Sequence, residues 1–490
     1  MKKETNVTLV TVAVFVATFM TAVEGTIVTT AMPTIVGSLH GIEIMNWVFS
    51  IYLLTNAMLT PIYGKLADKI GRKPIFILGT VLFIIGSALC GLSNTMLTLI
   101  ISRAIQGMGA GAMMPVALTI IGDLYDKEKR AKVLGLNSTA WGIASVVGPL
   151  AGGIIVDTIG WHWIFFINVP IGIILIILIW LYLVEEKVRH QQKKMDIFGS
   201  LSLMGLLLAL LLAFQFLGDE GLSVKVIVLA IVAVAAGILF VYAEKHAEDP
   251  VISLHLFTQP LFVVVNLVAA LASGFLIGVD VYIPMWMQGV LGLSAGIGGL
   301  VLAPLSLLWL VGSFLAGRWM ATIAVKRVLL RGIIITLFGA VCLVVVPQHT
   351  NWLWFFAIST ILGIGLGAVT VTCTVSAQSS VSSEQMGVAT SFNTLARTIG
   401  QTIMVSVFGI LLNGITAAKL QSVTVANKND VMNQLVNPQT AKLLASGLRE
   451  TLRGILFASL HGVYLAGAIL IVAALVLTLF LKKSDTMELE

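Results

Sequence analysis

The stretch Gly64-Lys65-Leu66-Ala67-Asp68-Lys69-Ile70-Gly71-Arg72-Lys73-Pro74 joins two apolar runs, each long enough to cross a membrane. So short a connection between antiparallel helices needs glycine where backbones come close, and its four basic residues mark a cytoplasmic side. Asp68 stands inside the basic cluster, placed to pair with a neighbouring helix. Outward from this turn the chain repeats one pattern, an apolar run followed by a brief polar or charged break.

Composition sets the solvent. The 490 residues are 58% hydrophobic and 11% charged, with a mean hydropathy of +1.02. Soluble domains carry about 25% charge, so polar surface here is too scarce to cover a globule and lipid must take its place. That excludes most soluble enzymes, nucleic-acid binders and disordered scaffolds, although a net charge of +6 and a pI near 9.2 invite a nucleic-acid reading. Cys90, Cys342 and Cys373 lie in separate apolar runs without the clustered spacing of a disulfide framework or metal site, and read as packing residues. The first apolar run continues from Leu9 past Met20 to Pro33 and contains Glu24, which favours a membrane helix over a cleaved signal.

Runs of about 20 apolar residues predict fourteen membrane helices. They fall near 8–32, 46–64, 75–94, 97–121, 133–157, 162–183, 197–217, 225–243, 262–288, 296–317, 327–346, 352–376, 388–412 and 457–481. With both termini cytoplasmic, 21 of the 29 lysines and arginines fall on the inside, 6 outside, and Arg103 and Arg397 within helices. That asymmetry supports the count. The expected fold class is an all-α polytopic membrane protein of two six-helix bundles plus two extra helices. Its expected divisions are 1–184 for the first bundle, 185–250 for a linker and two inserted helices, 251–481 for the second bundle, and 482–490 for a tail. A polar segment at about 413–457 is expected as a long extracellular loop, with a short amphipathic helix at 438–453.

The turn at Gly64 resembles the GxLaDrxGrk signature of the major facilitator superfamily. Further matches follow in order: Leu99, Arg103, Gln106, Gly107, Gly109, Ala110 and Gly111 on the fourth helix resemble that superfamily's intramembrane arginine motif. Gly135, Gly148-Pro149 and Gly152-Gly153 on the fifth resemble its antiporter motif, with Ala144 where glycine is usual. Trp47 with Tyr52, Trp161-His162-Trp163 with Asn168 and Pro170, and Gln288-Gly289-Val290-Leu291-Gly292 with Pro304 look like the fourteen-helix drug:proton antiporter branch. His162 stands where that branch commonly has arginine. Gly317-Arg318, 253 residues after Gly64-Lys65, is a weak second copy of the turn, with Ala321 where Asp68 would be.

A charge at a helix centre costs about 2.5 to 3.5 kcal/mol on insertion scales, so each one kept in lipid asks for a function. Glu24, in Glu24-Gly25-Thr26 followed by Pro33, resembles the branch's DxT…P signature with glutamate for aspartate. The resemblance places Glu24, Arg103 and Asp280 in one central aqueous chamber as a proton-coupling and substrate-charge constellation. It implies gating contacts of Asp68 and Arg72 with Asp123 and Arg130, supported by Gly64 and Gly71. Tyr52, Trp141, Trp286, Trp309 and Phe392 are candidate cavity aromatics for a flat cation, while His461 reads as a packing residue.

The resemblance therefore implies a proton-coupled antiporter that exports hydrophobic, often cationic drugs or dyes from a bacterial cell membrane, as a functional monomer among membrane lipids. No cofactor and no nucleic acid are expected, and no GxxxxGK[ST] motif is present. Two alternatives share the fold: an exporter dedicated to one metabolite, lipid or signalling molecule, and a membrane sensor that transports nothing. An enzyme is disfavoured because the seven histidines are scattered and no HExxH occurs.

Overall fold

A computed structural model describes residues 5–125, 127–185, 196–247, 254–381, 386–423 and 428–481. Fourteen long helices account for nearly all of them: α1 (Val7–Leu39), α2 (Met45–Ile70), α3 (Arg72–Gly91), α4 (Met96–Leu124), α5 (Lys127–Thr158), α6 (Asn168–Tyr182), α7 (Ile197–Glu220), α8 (Val224–His246), α9 (Pro260–Met285), α10 (Ala295–Met320), α11 (Val325–Val345), α12 (Leu353–Ser379), α13 (Met386–Leu420) and α14 (Ser446–Leu479). With α6 extended back to Trp163 through the short helix Trp163–Phe166, thirteen are long and apolar enough to span a bilayer; in α5 the described apolar stretch is Val146–Thr158. Helix is the form that lipid demands, because it satisfies its own backbone hydrogen bonds. Polar side chains mark the ends. Asn6, Thr95, Asp196 and Ser294 each accept a backbone N–H at the start of α1, α4, α7 and α10.

Helices α1–α6 form one bundle and α9–α14 the other. Large apolar side chains stand outward all around, among them Ile154, Trp180, Ile238, Phe314 and Ile469, a surface that only lipid can cover. Helix α7 packs between the bundles on one flank: Leu203, Leu207 and Leu211 meet Leu54 of α2 and Leu395 and Ile399 of α13. Gln215 of α7 accepts a hydrogen bond from Ser406 of α13 at 3.0 Å.

The polar segment expected as a loop over about 413–457 is largely helical. α13 runs on to Leu420 and α14 begins at Ser446, with two short helices, Lys428–Val436 and Pro438–Ala441, between them. Several of its polar residues bond neighbouring elements. Asn413 donates to the Glu43 carbonyl at 2.8 Å, Asn433 accepts from Ile42 N–H at 2.9 Å, and Thr416 bonds Ser459 at 2.8 Å.

The two ends of the molecule differ. At the end carrying His40, the bundles are pinned together. Gln288 Nε2 donates to the Thr30 carbonyl at 3.0 Å, Tyr282 OH donates to Asn46 Oδ1 at 2.9 Å, and Gly296 N–H donates to Asp157 at 2.8 Å. The hydrogen bonds that join the two bundles among the described residues cluster at this His40 face. At the opposite, Gly71 face, each bundle is tied to itself. Lys73 Nζ donates to the carbonyls of Trp180 and Leu183 at 2.8 and 2.7 Å, where α6 ends. Lys326 Nζ does the same to Leu479 and Leu481 at the end of α14, at 2.7 and 2.6 Å. Lys326 follows Lys73 by the same 253 residues that separate Gly317 from Gly64, so the weak internal repeat is a repeated contact.

Candidate functional site

Glu24 lies midway along α1, fully buried, and α4 and α6 supply its donors. Arg103 Nη1 of α4 donates to its Oε1 at 2.5 Å, and Asn168 Nδ2 of α6 donates to its Oε2 at 2.7 Å. A second layer holds these donors. Arg103 also donates to Gln106 Oε1 at 2.7 Å and to the Val48 carbonyl of α2 at 3.3 Å. Gln106 Nε2 and Asn168 Nδ2 both donate to Ser87 Oγ of α3, at 3.2 and 3.0 Å, and Ser87 donates onward to the Phe165 carbonyl at 2.8 Å. The Arg103 guanidinium stacks 4.0 Å from the Tyr52 ring, and Cys90 Sγ contacts Gln106. A buried ion pair persists when its remaining donors and acceptors are met, and this network meets both Glu24 oxygens and the Nε and Nη1 of Arg103.

The small residues of the neighbouring helices make the approach possible. A Cβ at Gly107 would strike Thr55 and the Tyr52 carbonyl, and one at Gly86 would strike the Gln106 backbone. On α5, Gly148 and Gly152 lie against Thr26 and Ile27 of α1, just beyond Glu24. Gly153 meets Gly296 of α10, and a Cβ at Gly299 would strike the Pro149 carbonyl. The antiporter-motif helix therefore touches the carboxylate helix on one side and the opposite bundle on the other.

Asp280 is separate. It is half-buried on α9 and makes no hydrogen bond or ion pair among the described residues. Thr30 and Gln288 fix its depth. Glu24 is six residues before Thr30 on α1, and Asp280 eight before Gln288, which lies in the π-helical turn Trp286–Val290 just beyond α9, so the two carboxylates stand at a similar level, within about one helical turn. The structure thus brings Glu24 and Arg103 into contact and sets Asp280 at their depth. It encloses the first two inside a bundle instead of standing all three in one open chamber, because Asn168, Gln106 and Ser87 close around the pair.

At the Gly71 face, Arg72 Nε and Asp123 Oδ2 are 2.9 Å apart, an ion pair without the alignment of a hydrogen bond. Gly71 has φ 114° and ψ 153°, a conformation essentially confined to glycine, and a Cβ there would meet the Glu185 carboxylate. That carboxylate accepts the N–H groups of Arg72 and Lys73 at 2.5 and 3.3 Å. Gly64 differs from the expectation: nothing lies within 4 Å of a Cβ placed there, so close helix approach is not its reason. The side chains of Asp68, Arg130, Gly135 and Trp141 lie outside the described residues.

The aromatic candidates divide. Tyr52 serves as the platform under Arg103, and Trp286 is buried among Phe355, Phe457, His461 and Tyr464. Both are core residues rather than open cavity wall, because each is enclosed by its own bundle. Phe392 meets Phe257 edge-to-face and Phe262 at a tilt, and Trp309 is half-buried beside Gly367. Asn168, Ser87 and Glu185 are site residues that sequence reasoning did not assign as partners.

The major facilitator superfamily model matches residues 14–405. The chain is 34% identical to the multidrug transporter protein MdtP of Bacillus subtilis (strain 168), covering 98% of this chain and 94% of that one. It is 33% identical to multidrug resistance protein 3 of the same organism, over 98% and 96%, and 32% identical to the multidrug export protein EmrB of Escherichia coli (strain K12), over 65% and 63%. Among solved structures, a bacterial homologue of the human lysosomal transporter Spinster shares the fold with a TM-score of 0.68 at 16% identity, over 99% of each chain. A D-xylose-proton symporter shares it with a TM-score of 0.61 at 14% identity, over 97% and 98%.

Proposed function

The chain belongs to the major facilitator superfamily, and on that premise we propose that it is a proton-coupled exporter of small hydrophobic, often cationic compounds. The observation that carries the coupling is Glu24, a carboxylate kept in the membrane and held by Arg103 and Asn168 on its two oxygens. Relatives named as a multidrug transporter and a multidrug resistance protein, alike over 98% of this chain, support the cargo class.

Such a carboxylate has two protonation states, and its neighbours treat them differently. Ionised, it is held by the guanidinium; protonated, it releases Arg103, which must then find other acceptors or water. Proton arrival therefore changes what binds α1 to α4 and α6. Asp280, unpaired at the same depth, is the site at which the charge of a cationic substrate is met. The basic residues crowded at the Gly71 face support a cytoplasmic assignment for that face and for both termini. The His40 face, pinned by Gln288, Tyr282 and Asp157, must then open for release, with the glycine contacts of α5 and α10 as the sliding surface. The driving force is sufficient: one charge crossing 100 mV supplies about 2.3 kcal/mol before any pH gradient. No bound cofactor enters this scheme.

Purified protein in vesicles, loaded with ethidium, rhodamine 123 and a neutral hydrophobic dye in turn, tests the reading. A multidrug exporter moves at least two of them when a pH gradient is imposed and stops when nigericin collapses it. Movement of none, or movement indifferent to nigericin, overturns the reading.

A further inference from the structure

Coupling leaves one intramembrane charge unexplained, Arg397 of α13. Asn266, Ser273 and Asp280 recur along α9 at seven-residue spacing, which keeps them on one helix face. α13 answers two of the three. Asn393 Nδ2 donates to Asn266 Oδ1 at 2.9 Å, and Arg397 Nε donates to Ser273 Oγ at 3.2 Å. Thr374 of α12 closes the lower rung by donating to Asn393 Oδ1 at 3.1 Å.

Arg397 spends only Nε in this ladder. Its two Nη atoms make no hydrogen bond, and no carboxylate pairs with the guanidinium among the described residues. Arg397 is itself only half-buried. Arg103 in the other bundle has its own carboxylate and acceptors on both Nε and Nη1; Arg397 has no carboxylate and an acceptor on Nε alone. Toward the Gly71 face the Phe257, Phe262 and Phe392 rings form an apolar wall five residues from Arg397 on α13. Toward the His40 face Asp280 stands seven residues beyond Ser273, about 10 Å along α9.

A free guanidinium edge matches a carboxylate through two parallel hydrogen bonds, and an unpaired carboxylate matches an amine. We propose that Arg397 is an anion-binding point of the substrate site, taking the carboxylate of flat amphiphilic zwitterions whose cationic end lies toward Asp280. This rests on the exporter reading and extends its substrates from cations to zwitterions.

Rhodamine 110 and rhodamine 123 are a matched pair, a free carboxylate and its methyl ester on one cationic ring system. Fluorescence anisotropy with the purified full-length protein in nanodiscs reads their binding directly. Arg397→Gln is expected to weaken rhodamine 110 about tenfold, the loss of a charge-assisted contact, while rhodamine 123 changes by less than about twofold. Arg397→Lys, which keeps the charge without the fork, falls between. Unchanged rhodamine 110 binding in Arg397→Gln, an equal loss of both dyes, or no binding of rhodamine 110 to the unaltered protein overturns the proposal. Gradient-driven efflux of rhodamine 123 by the unaltered protein, measured separately, reports on the exporter reading alone.

Discussion

Asn168 of α6 donates a 2.7 Å hydrogen bond to the Glu24 carboxylate of α1, across 144 positions of sequence and in a region closed to solvent. With Arg103 on the other oxygen, neither end of the carboxylate is left without a donor. A charge in the membrane is tolerated under that condition, and the condition can be removed one donor at a time.

Removing one member of the Glu24–Arg103 pair strands the other. Glu24→Gln and Arg103→Gln are each expected to cost about 3–5 kcal/mol, the usual cost of an uncompensated buried charge. The double variant should lose less than the sum, because no charge remains stranded. Thermal unfolding of the three variants in detergent checks this; strict additivity contradicts the pairing.

Asn168→Ala leaves Oε2 of Glu24 and part of Ser87 unsatisfied. A loss of about 1–3 kcal/mol is expected, the desolvation cost of an unmet acceptor. Asn168→Ser, able to reach neither group fully, should recover little of it. Unfolding midpoints measured beside the unaltered protein decide the matter, and no change in Asn168→Ala rules out a supporting role.

Two glycines should respond in opposite ways to alanine. Gly299 faces the Pro149 carbonyl across the bundle interface, while a Cβ at Gly64 meets nothing within 4 Å. Gly299→Ala is expected to lose dye efflux about tenfold or more through a blocked interface, and Gly64→Ala to keep most of it. Efflux rates normalised to membrane-inserted protein make the comparison; equal behaviour contradicts the contact.

Gly71 is constrained by both backbone and neighbour. Gly71→Ala should cost about 1–3 kcal/mol from backbone conformation alone, with the Glu185 clash added. Glu185→Gln keeps an acceptor for the Arg72 and Lys73 N–H groups and should be milder than Glu185→Ala. Thermal unfolding of the three variants tests the order.

The fold was legible because lipid allows so few answers. Apolar runs of fixed length, with basic residues heaped on alternate breaks, permit little except a helical bundle. The ends of α13 and α14 were not legible, since Asn413, Thr416 and Asn433 read as loop residues until their partners across the bundle are seen. Glu24 stood out as a lone charge in an apolar run. Asn168, Gln106 and Ser87 carry no charge, and nothing in their spacing shows that they meet around one carboxylate. Trp286 could be recognised as an aromatic resource, but not as one enclosed by Phe355, Phe457 and Tyr464. Periodicity assigns a residue to a helix; only packing assigns it to a cavity or a core.

Coupling through Glu24 is tested most directly by proton movement itself. Proteoliposomes carrying an internal pH-sensitive dye and an imposed pH gradient are given rhodamine 123, and dissipation of the gradient is followed for the unaltered protein, Glu24→Gln and Asp280→Asn. The unaltered protein should release protons down the gradient when substrate is added, Glu24→Gln should release none, and Asp280→Asn should fail mainly with cationic substrate. Substrate-triggered proton movement by Glu24→Gln at the rate of the unaltered protein contradicts the account.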